Sequence, residues 1–134
     1  MGVKPKKILL ADDDPEDQEI LEDAIRKLEP VAQMHMVENG KEVLEFLAHC
    51  PDRELPELII LDYKMPVLNA VEVLELINQA SRLKSIPKVV WSSSRQPEHV
   101  QNCMEKGAAP YFVKPNKLSE LTRIAEQMLA YCRE

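Results

Sequence analysis

Apolar residues in this chain fall into short continuous runs that alternate with longer amphipathic stretches. Ile8-Leu9-Leu10-Ala11 stops abruptly at Asp12-Asp13-Asp14-Pro15, and behind it Ile20, Leu21, Ala24, Ile25 and Leu28 recur at helical spacing. That pattern predicts strand, acidic loop, helix. Pro30 closes the helix, Met34-His35-Met36-Val37 has the length of a short edge strand, and Asn39-Gly40 turns the chain into a second helix carrying Val43, Leu44, Phe46 and Leu47. Past Pro51 and Pro56, Leu58-Ile59-Ile60-Leu61 runs into Asp62, and Val73, Leu74 and Ile77 mark a third helix. Pro87 opens Lys88-Val89-Val90-Trp91, which empties into Ser92-Ser93-Ser94. A fourth helix from about Glu98 to Lys106 ends at Gly107, a residue suited to the left-handed position that terminates helices. Pro110 begins a fifth strand, Tyr111-Phe112-Val113, and the last helix aligns Leu118, Leu121, Ile124, Ala125, Met128, Leu129 and Cys132 on one face.

Five strand-helix units in unbroken alternation predict an α/β fold: a doubly wound, five-stranded parallel sheet with five helices. Parallel neighbours need right-handed crossover connections, and those crossovers cover both faces of the sheet. In such sheets ligands bind beyond the carboxyl ends of the strands. The residues there are Asp12, Asp13 and Asp14 after the first strand, Asp62 after the third, Ser92 after the fourth and Lys114 after the fifth. They are expected to converge on one pocket.

Size and charge narrow the function classes. The 134 residues are one domain's worth, spanning 1–134 with a core of about 6–132. Seventeen Lys and Arg against 23 Asp and Glu give a formal charge of −6, and the only basic cluster is Lys4, Lys6, Lys7, which disfavours DNA or an anionic membrane as primary partner. The longest apolar runs have a strand's length and no signal-type segment precedes them, so a cytoplasmic location is expected. Cys50, Cys103 and Cys132 are odd in number and widely separated, as in a reducing compartment, and neither they nor His35, His49 and His99 have metal-ligand spacing. Met34, Met36 and Trp91 read as packing residues.

Clustered carboxylates either raise a pKa strongly or hold a cation, and the composition of this rim favours the cation. Asp12, Asp13, Asp62 and Lys114 carry a formal −2, which one Mg²⁺ would neutralise; oxygen-only ligands suit Mg²⁺, with Mn²⁺ as a substitute, and do not suit zinc. A carboxylate beside such an ion can act as a nucleophile toward phosphorus, while a lysine ammonium and a hydroxyl stabilise the phosphoryl oxygens. Asp14 reads as a helix N-cap.

The motifs Ile8-Leu9-Leu10-Ala11-Asp12-Asp13, Leu61-Asp62-Tyr63-Lys64-Met65-Pro66, Val89-Val90-Trp91-Ser92 and Gly107-Ala108-Ala109-Pro110-Tyr111-Phe112-Val113-Lys114-Pro115 together resemble the receiver domain of two-component response regulators, over essentially the whole chain. The resemblance implies a sheet order of 2-1-3-4-5 and a stand-alone switch with no catalytic output beyond self-phosphorylation and self-dephosphorylation. It implies that Asp62 is the phosphoacceptor, Asp13 a direct metal ligand, Asp12 a ligand through water, and the Lys64 backbone carbonyl a third protein ligand. Ser92 matches the switch hydroxyl, Lys114 the phosphate-binding lysine and Tyr111 the aromatic that moves with the switch. The Lys114-Pro115 bond resembles one that is cis in the family. Ser93's small size implies open access, and Lys64 and Ser94 are the implied tuning positions for dephosphorylation. The implied partners are a sensor histidine kinase or histidine phosphotransfer protein, plus a downstream protein that the sequence does not identify. Ser92 stands where threonine is common and Ala70 where glycine is common, which reduces backbone freedom after Asp62.

Three other functions compete. A haloacid-dehalogenase-type phosphatase would use Asp12 as nucleophile, but it needs a downstream acidic pair and leaves Asp62 idle. A flavodoxin-like carrier would put FMN phosphate against three aspartates, which repel it. A pseudo-receiver would keep the fold as an interaction module without phosphorylation, against a complete set of acceptor, acidic and lysine residues. The last-helix face could support a homodimer, while Glu120, Arg123 and Gln127 read equally well as a solvated surface.

Overall fold

A computed structural model describes residues 5–108 and 110–132. Lys4 of the basic cluster and Ala109 of the last motif lie outside the described residues. The elements follow the order β1 (Lys7–Ala11), α1 (Pro15–Leu28), β2 (Gln33–Val37), α2 (Gly40–His49), a 3-10 turn (Asp52–Glu54), β3 (Leu58–Leu61), α3 (Ala70–Gln79), β4 (Lys88–Ser92), α4 (Pro97–Glu105), β5 (Tyr111–Val113) and α5 (Leu118–Leu129).

All strand pairs are parallel and the sheet order is β2-β1-β3-β4-β5. The central strands are apolar throughout because both faces are covered, and their twofold alternation sorts the side chains into two cores. Leu9, Ala11, Ile59, Leu61 and Val90 pack with Val43, Leu47, Val73, Leu74, Ile77 and Cys103 from α2, α3 and α4. Ile8, Leu10, Leu58, Ile60, Val89 and Trp91 face the opposite way, against Leu21 and Ile25 of α1 and Leu121, Ala125 and Met128 of α5. Among the described residues no helix is long and apolar enough to cross a membrane.

The starts of α1, α2 and α3 are fixed by side-chain caps that also set the loop geometry around the strand ends. Asp14 accepts hydrogen bonds from the backbone N–H groups of Glu16 at 2.9 Å and Asp17 at 3.4 Å, with Pro15 in the first turn. Asn69 and Glu72 form a reciprocal capping box at α3. Gly107, at φ 92°, takes the left-handed position after α4.

Five sequence expectations need correction. Ile20 is 45% exposed and Leu118 67% exposed: Ile20 sits beside the Leu21–Ala24–Ile25 stripe, one helical step off it, and Leu118 opens α5 before the helix meets the sheet. Pro110 precedes β5 and does not begin it; its carbonyl accepts the Val90 N–H at 3.2 Å, a bond that asks no donor of proline. Ser92 is the last residue of β4, not the first of the loop, and Cys132 lies beyond the end of α5.

Candidate functional site

The carboxyl ends of β1, β3, β4 and β5 meet at one rim, and the residues placed there are those the strand ends predict. Asp12 follows β1 and is fully buried. Its Oδ1 accepts the Asp14 N–H at 3.0 Å, and its Oδ2 accepts the Trp91 indole N–H at 3.1 Å and lies 2.9 Å from Lys114 Nζ. Asp62 follows β3, is 6% exposed, and takes a hydrogen bond from Lys114 Nζ on Oδ2 at 3.1 Å. Asp13 is exposed at the mouth, and one carboxylate oxygen from each of Asp12, Asp13 and Asp62 lies within 4.8 Å of the others.

Burial and charge act against each other on Asp62. Desolvation raises its pKa to about 6; the Lys114 charge opposes that rise, the neighbouring Asp12 charge adds to it, and hydrogen bonds from Lys114 and Ser92 pull it back. Lys114 is also desolvated, which favours the neutral amine, but hydrogen bonds to Asp17 and Asp12 and the charges of Asp62 and Asp12 reverse this and raise its pKa. The lysine is therefore a fixed cation in an acidic basin.

Ser92 is buried, and its hydroxyl accepts the Ser94 N–H at 3.3 Å. Tyr111, half-buried, donates its phenol hydrogen to the Ser94 carbonyl at 2.9 Å. Ser93 and Lys64 stand exposed on the loops after β4 and β3. Ala70, where glycine is common, is not at a left-handed position: it is the first residue of α3, buried, with its N–H on the Tyr63 carbonyl at 3.1 Å. The left-handed position falls instead on Val67, at φ 72°.

Sequence reasoning missed four residues here. Asp17, in the first turn of α1, lies 2.7 Å from Lys114 Nζ, the shortest of that group's three ion pairs. The signal for it was the acidic first turn immediately behind Asp12 to Asp14. Trp91 is a core residue as expected, but its indole N–H also holds Asp12 and its ring lies 5.2 Å from Lys114 Nζ. His99 of α4 stacks on Tyr63 with ring centroids 4.0 Å apart, and its Nδ1 is hydrogen-bonded to the Ser94 hydroxyl at 2.6 Å. No spacing rule marks that pair, because they come from loops and helices set side by side only by the fold.

The model of the response regulator receiver domain family matches residues 8–126. The chain belongs to that family. It is 32% identical over 128 residues to the two-component response regulator ORR11 of rice, Oryza sativa subsp. indica, a match covering 96% of this chain and 84% of ORR11. Among solved structures, this receiver resembles the phosphorylated cyanobacterial phytochrome response regulator RcpA, with a TM-score of 0.85 and 27% identity over 96% of this chain and 94% of that one. It also resembles the Mn²⁺-bound form of response regulator Rcp1, with a TM-score of 0.81 and 28% identity over 94% and 93% of the two chains. The receiver is thus a component of two-component signalling, a family whose members are phosphorylated by histidine kinases or phosphotransfer proteins.

Proposed function

We propose that this receiver accepts a phosphoryl group on Asp62 from a phosphohistidine of a sensor kinase or phosphotransfer protein, and that the phosphorylated form signals through protein contacts. The observation that carries this reading is the convergence of one ammonium, Lys114, on two buried carboxylates from different strands, Asp12 and Asp62. Ionised Asp62 attacks phosphorus, the P–N bond to the donor imidazole breaks, and its electron pair stays on that nitrogen, which takes a proton. Lys114 and the Ser92 hydroxyl donate to the phosphoryl oxygens as they arrive.

The all-oxygen set of Asp12, Asp13 and Asp62, with the Lys64 carbonyl as a further ligand, suits Mg²⁺ or Mn²⁺, and the Mn²⁺-bound Rcp1 relative supports that choice. The bound ion supplies charge neutralisation for the incoming phosphoryl group. Asp13 is the accessible ligand. Asp12, buried with both oxygens engaged, acts from behind, and that same engagement argues against Asp12 as a phosphatase nucleophile.

Phosphorylation replaces one negative charge on Asp62 with about two. Ser92 is drawn inward to the phosphoryl group, vacating space that Tyr111, otherwise bonded to the Ser94 carbonyl, rotates to fill. The receiver has no other catalytic output; its chemistry is acquiring and losing its own phosphoryl group. Lys64, Ser93 and Ser94 flank the site and set the rate of that loss, with Ser94's hydroxyl partly withheld by His99.

The test is incubation with Mg²⁺ and a small phosphodonor, read by intact-protein mass and by peptide mapping of the acyl phosphate. One phosphoryl group on Asp62, absent from Asp62→Asn, is expected. Equal labelling of Asp62→Asn would overturn the site.

A further inference from the structure

We infer that Asp17 is a positioning residue that restrains Lys114 in the unphosphorylated receiver and is displaced when Asp62 carries a phosphoryl group. The inference rests on the phosphoacceptor reading above. A lysine ammonium has three hydrogens to donate, and Lys114 Nζ already has three carboxylates around it: Asp17 at 2.7 Å, Asp12 at 2.9 Å and Asp62 at 3.1 Å. The ammonium thus leans toward α1 and away from the acceptor.

The hydrogen that Lys114 gives Asp62 Oδ2 at 3.1 Å can pass to a phosphoryl oxygen, but that oxygen lies farther out than the carboxylate, so the ammonium must shift toward the acceptor and loosen its hold on Asp17 or on Asp12. Asp12 cannot be released cheaply. It is wholly desolvated and pinned by the Trp91 and Asp14 N–H groups, so losing its cation would strand a buried charge. Asp17 alone is open to water, its side chain 30% exposed against 0% for Asp12 and 8% for Asp62, and water can replace its partner.

The Asp17–Lys114 pair therefore stabilises only the unphosphorylated state and weakens phosphoryl binding by its own free energy. Charge points the same way. With Asp17 counted, Asp12, Asp13, Asp17, Asp62 and Lys114 total a formal −3, one unit more negative than a single divalent ion neutralises.

The test is calorimetric titration of beryllofluoride, a phosphoryl mimic, into Mg²⁺-saturated wild type, Asp17→Asn, Glu16→Gln and Asp62→Asn. Glu16→Gln removes the same charge one residue away, from an exposed side chain outside the Lys114 ion pairs. Asp17→Asn is expected to bind roughly threefold more tightly than wild type, the scale of a part-exposed ion pair, with Glu16→Gln close to wild type and Asp62→Asn silent. A merely structural role for Asp17 would not tighten binding. Unchanged or weaker binding by Asp17→Asn, or equal tightening by Glu16→Gln, overturns the restraint alone. A silent wild type, or binding by Asp62→Asn, overturns the phosphoacceptor reading and the restraint with it.

Discussion

The indole N–H of Trp91 donates to Oδ2 of Asp12 at 3.1 Å, and that same carboxylate oxygen lies 2.9 Å from Lys114 Nζ. The only tryptophan in the chain is thereby wired to the acidic basin, with a cation near its ring. Any change in charge at the rim alters the field across the indole. Mg²⁺ titrated into the metal-free receiver should therefore shift or quench Trp91 emission saturably, and Asp13→Asn should weaken the apparent affinity by about tenfold or more. Emission indifferent to millimolar Mg²⁺ would contradict a metal site at Asp12, Asp13 and Asp62.

The acceptor carboxylate makes stability depend on pH in a direction opposite to most aspartates. Burial raises Asp62 to about 6, above the ordinary aspartate value near 3.9 in an unfolded chain. Because the folded state holds this proton more tightly, the contribution is favourable below about pH 4 and is lost as pH rises through about 6. Asp62→Asn should accordingly stabilise the metal-free protein at pH 7, by on the order of 1–3 kcal/mol, and by much less at pH 4. Urea unfolding at both pH values in a chelator measures this; a variant less stable than wild type at pH 7 would contradict it. Mg²⁺ should raise the melting temperature of wild type more at pH 7 than at pH 5, since the ligands must be ionised.

Much of this site was legible in the sequence because parallel sheets impose a simple rule: the residue after an apolar run lies at the ligand-binding edge. Asp12, Asp62 and Lys114 follow that rule, and their motifs added the family. The rule is blind to residues whose side chains reach the rim from elsewhere. Asp17 comes from a helix, and its role depends on how α1 is set against the sheet. Trp91 points into the α1–α5 core as strand alternation requires, and only the packed structure shows its N–H at Asp12. Amphipathic spacing likewise gave the buried stripes of α1 and α5 but over-extended them to Ile20 and Leu118, because periodicity fixes a helix face and not how far the neighbouring layer reaches along it. Backbone strain left no pattern at all: nothing about valine at position 67 announces a positive φ.

That strain can be relieved. Val67 is β-branched, 69% exposed, and held at φ 72°, where its side chain crowds the backbone. Val67→Gly removes the clash, and although glycine loses more entropy on folding, the net gain should be about 1 kcal/mol. Chemical denaturation should show a raised midpoint with an unchanged slope. Destabilisation by Val67→Gly would mean that the side chain makes contacts worth more than its strain.

Gly40, the first residue of α2, is where that loop is buttressed. A Cβ added there would lie 2.5 Å from the Leu68 carbonyl oxygen, 2.6 Å from Val73 Cγ2 and 2.7 Å from Leu68 Cβ. The nearest of these is backbone, so no flexible side-chain end can simply swing aside. Gly40→Ala should therefore cost about 1–3 kcal/mol of stability as an overpacked site. Because Leu68 lies in the loop between Asp62 and α3, the displacement should also reach the metal-binding end, weakening Mg²⁺ affinity as read by Trp91 emission. Val67 precedes Leu68 in that loop, so the double variant with Val67→Gly, whose backbone is freer to move, should lose less stability than the two single effects predict by addition. Strict additivity in that cycle would show that Gly40 and the strained turn are energetically independent.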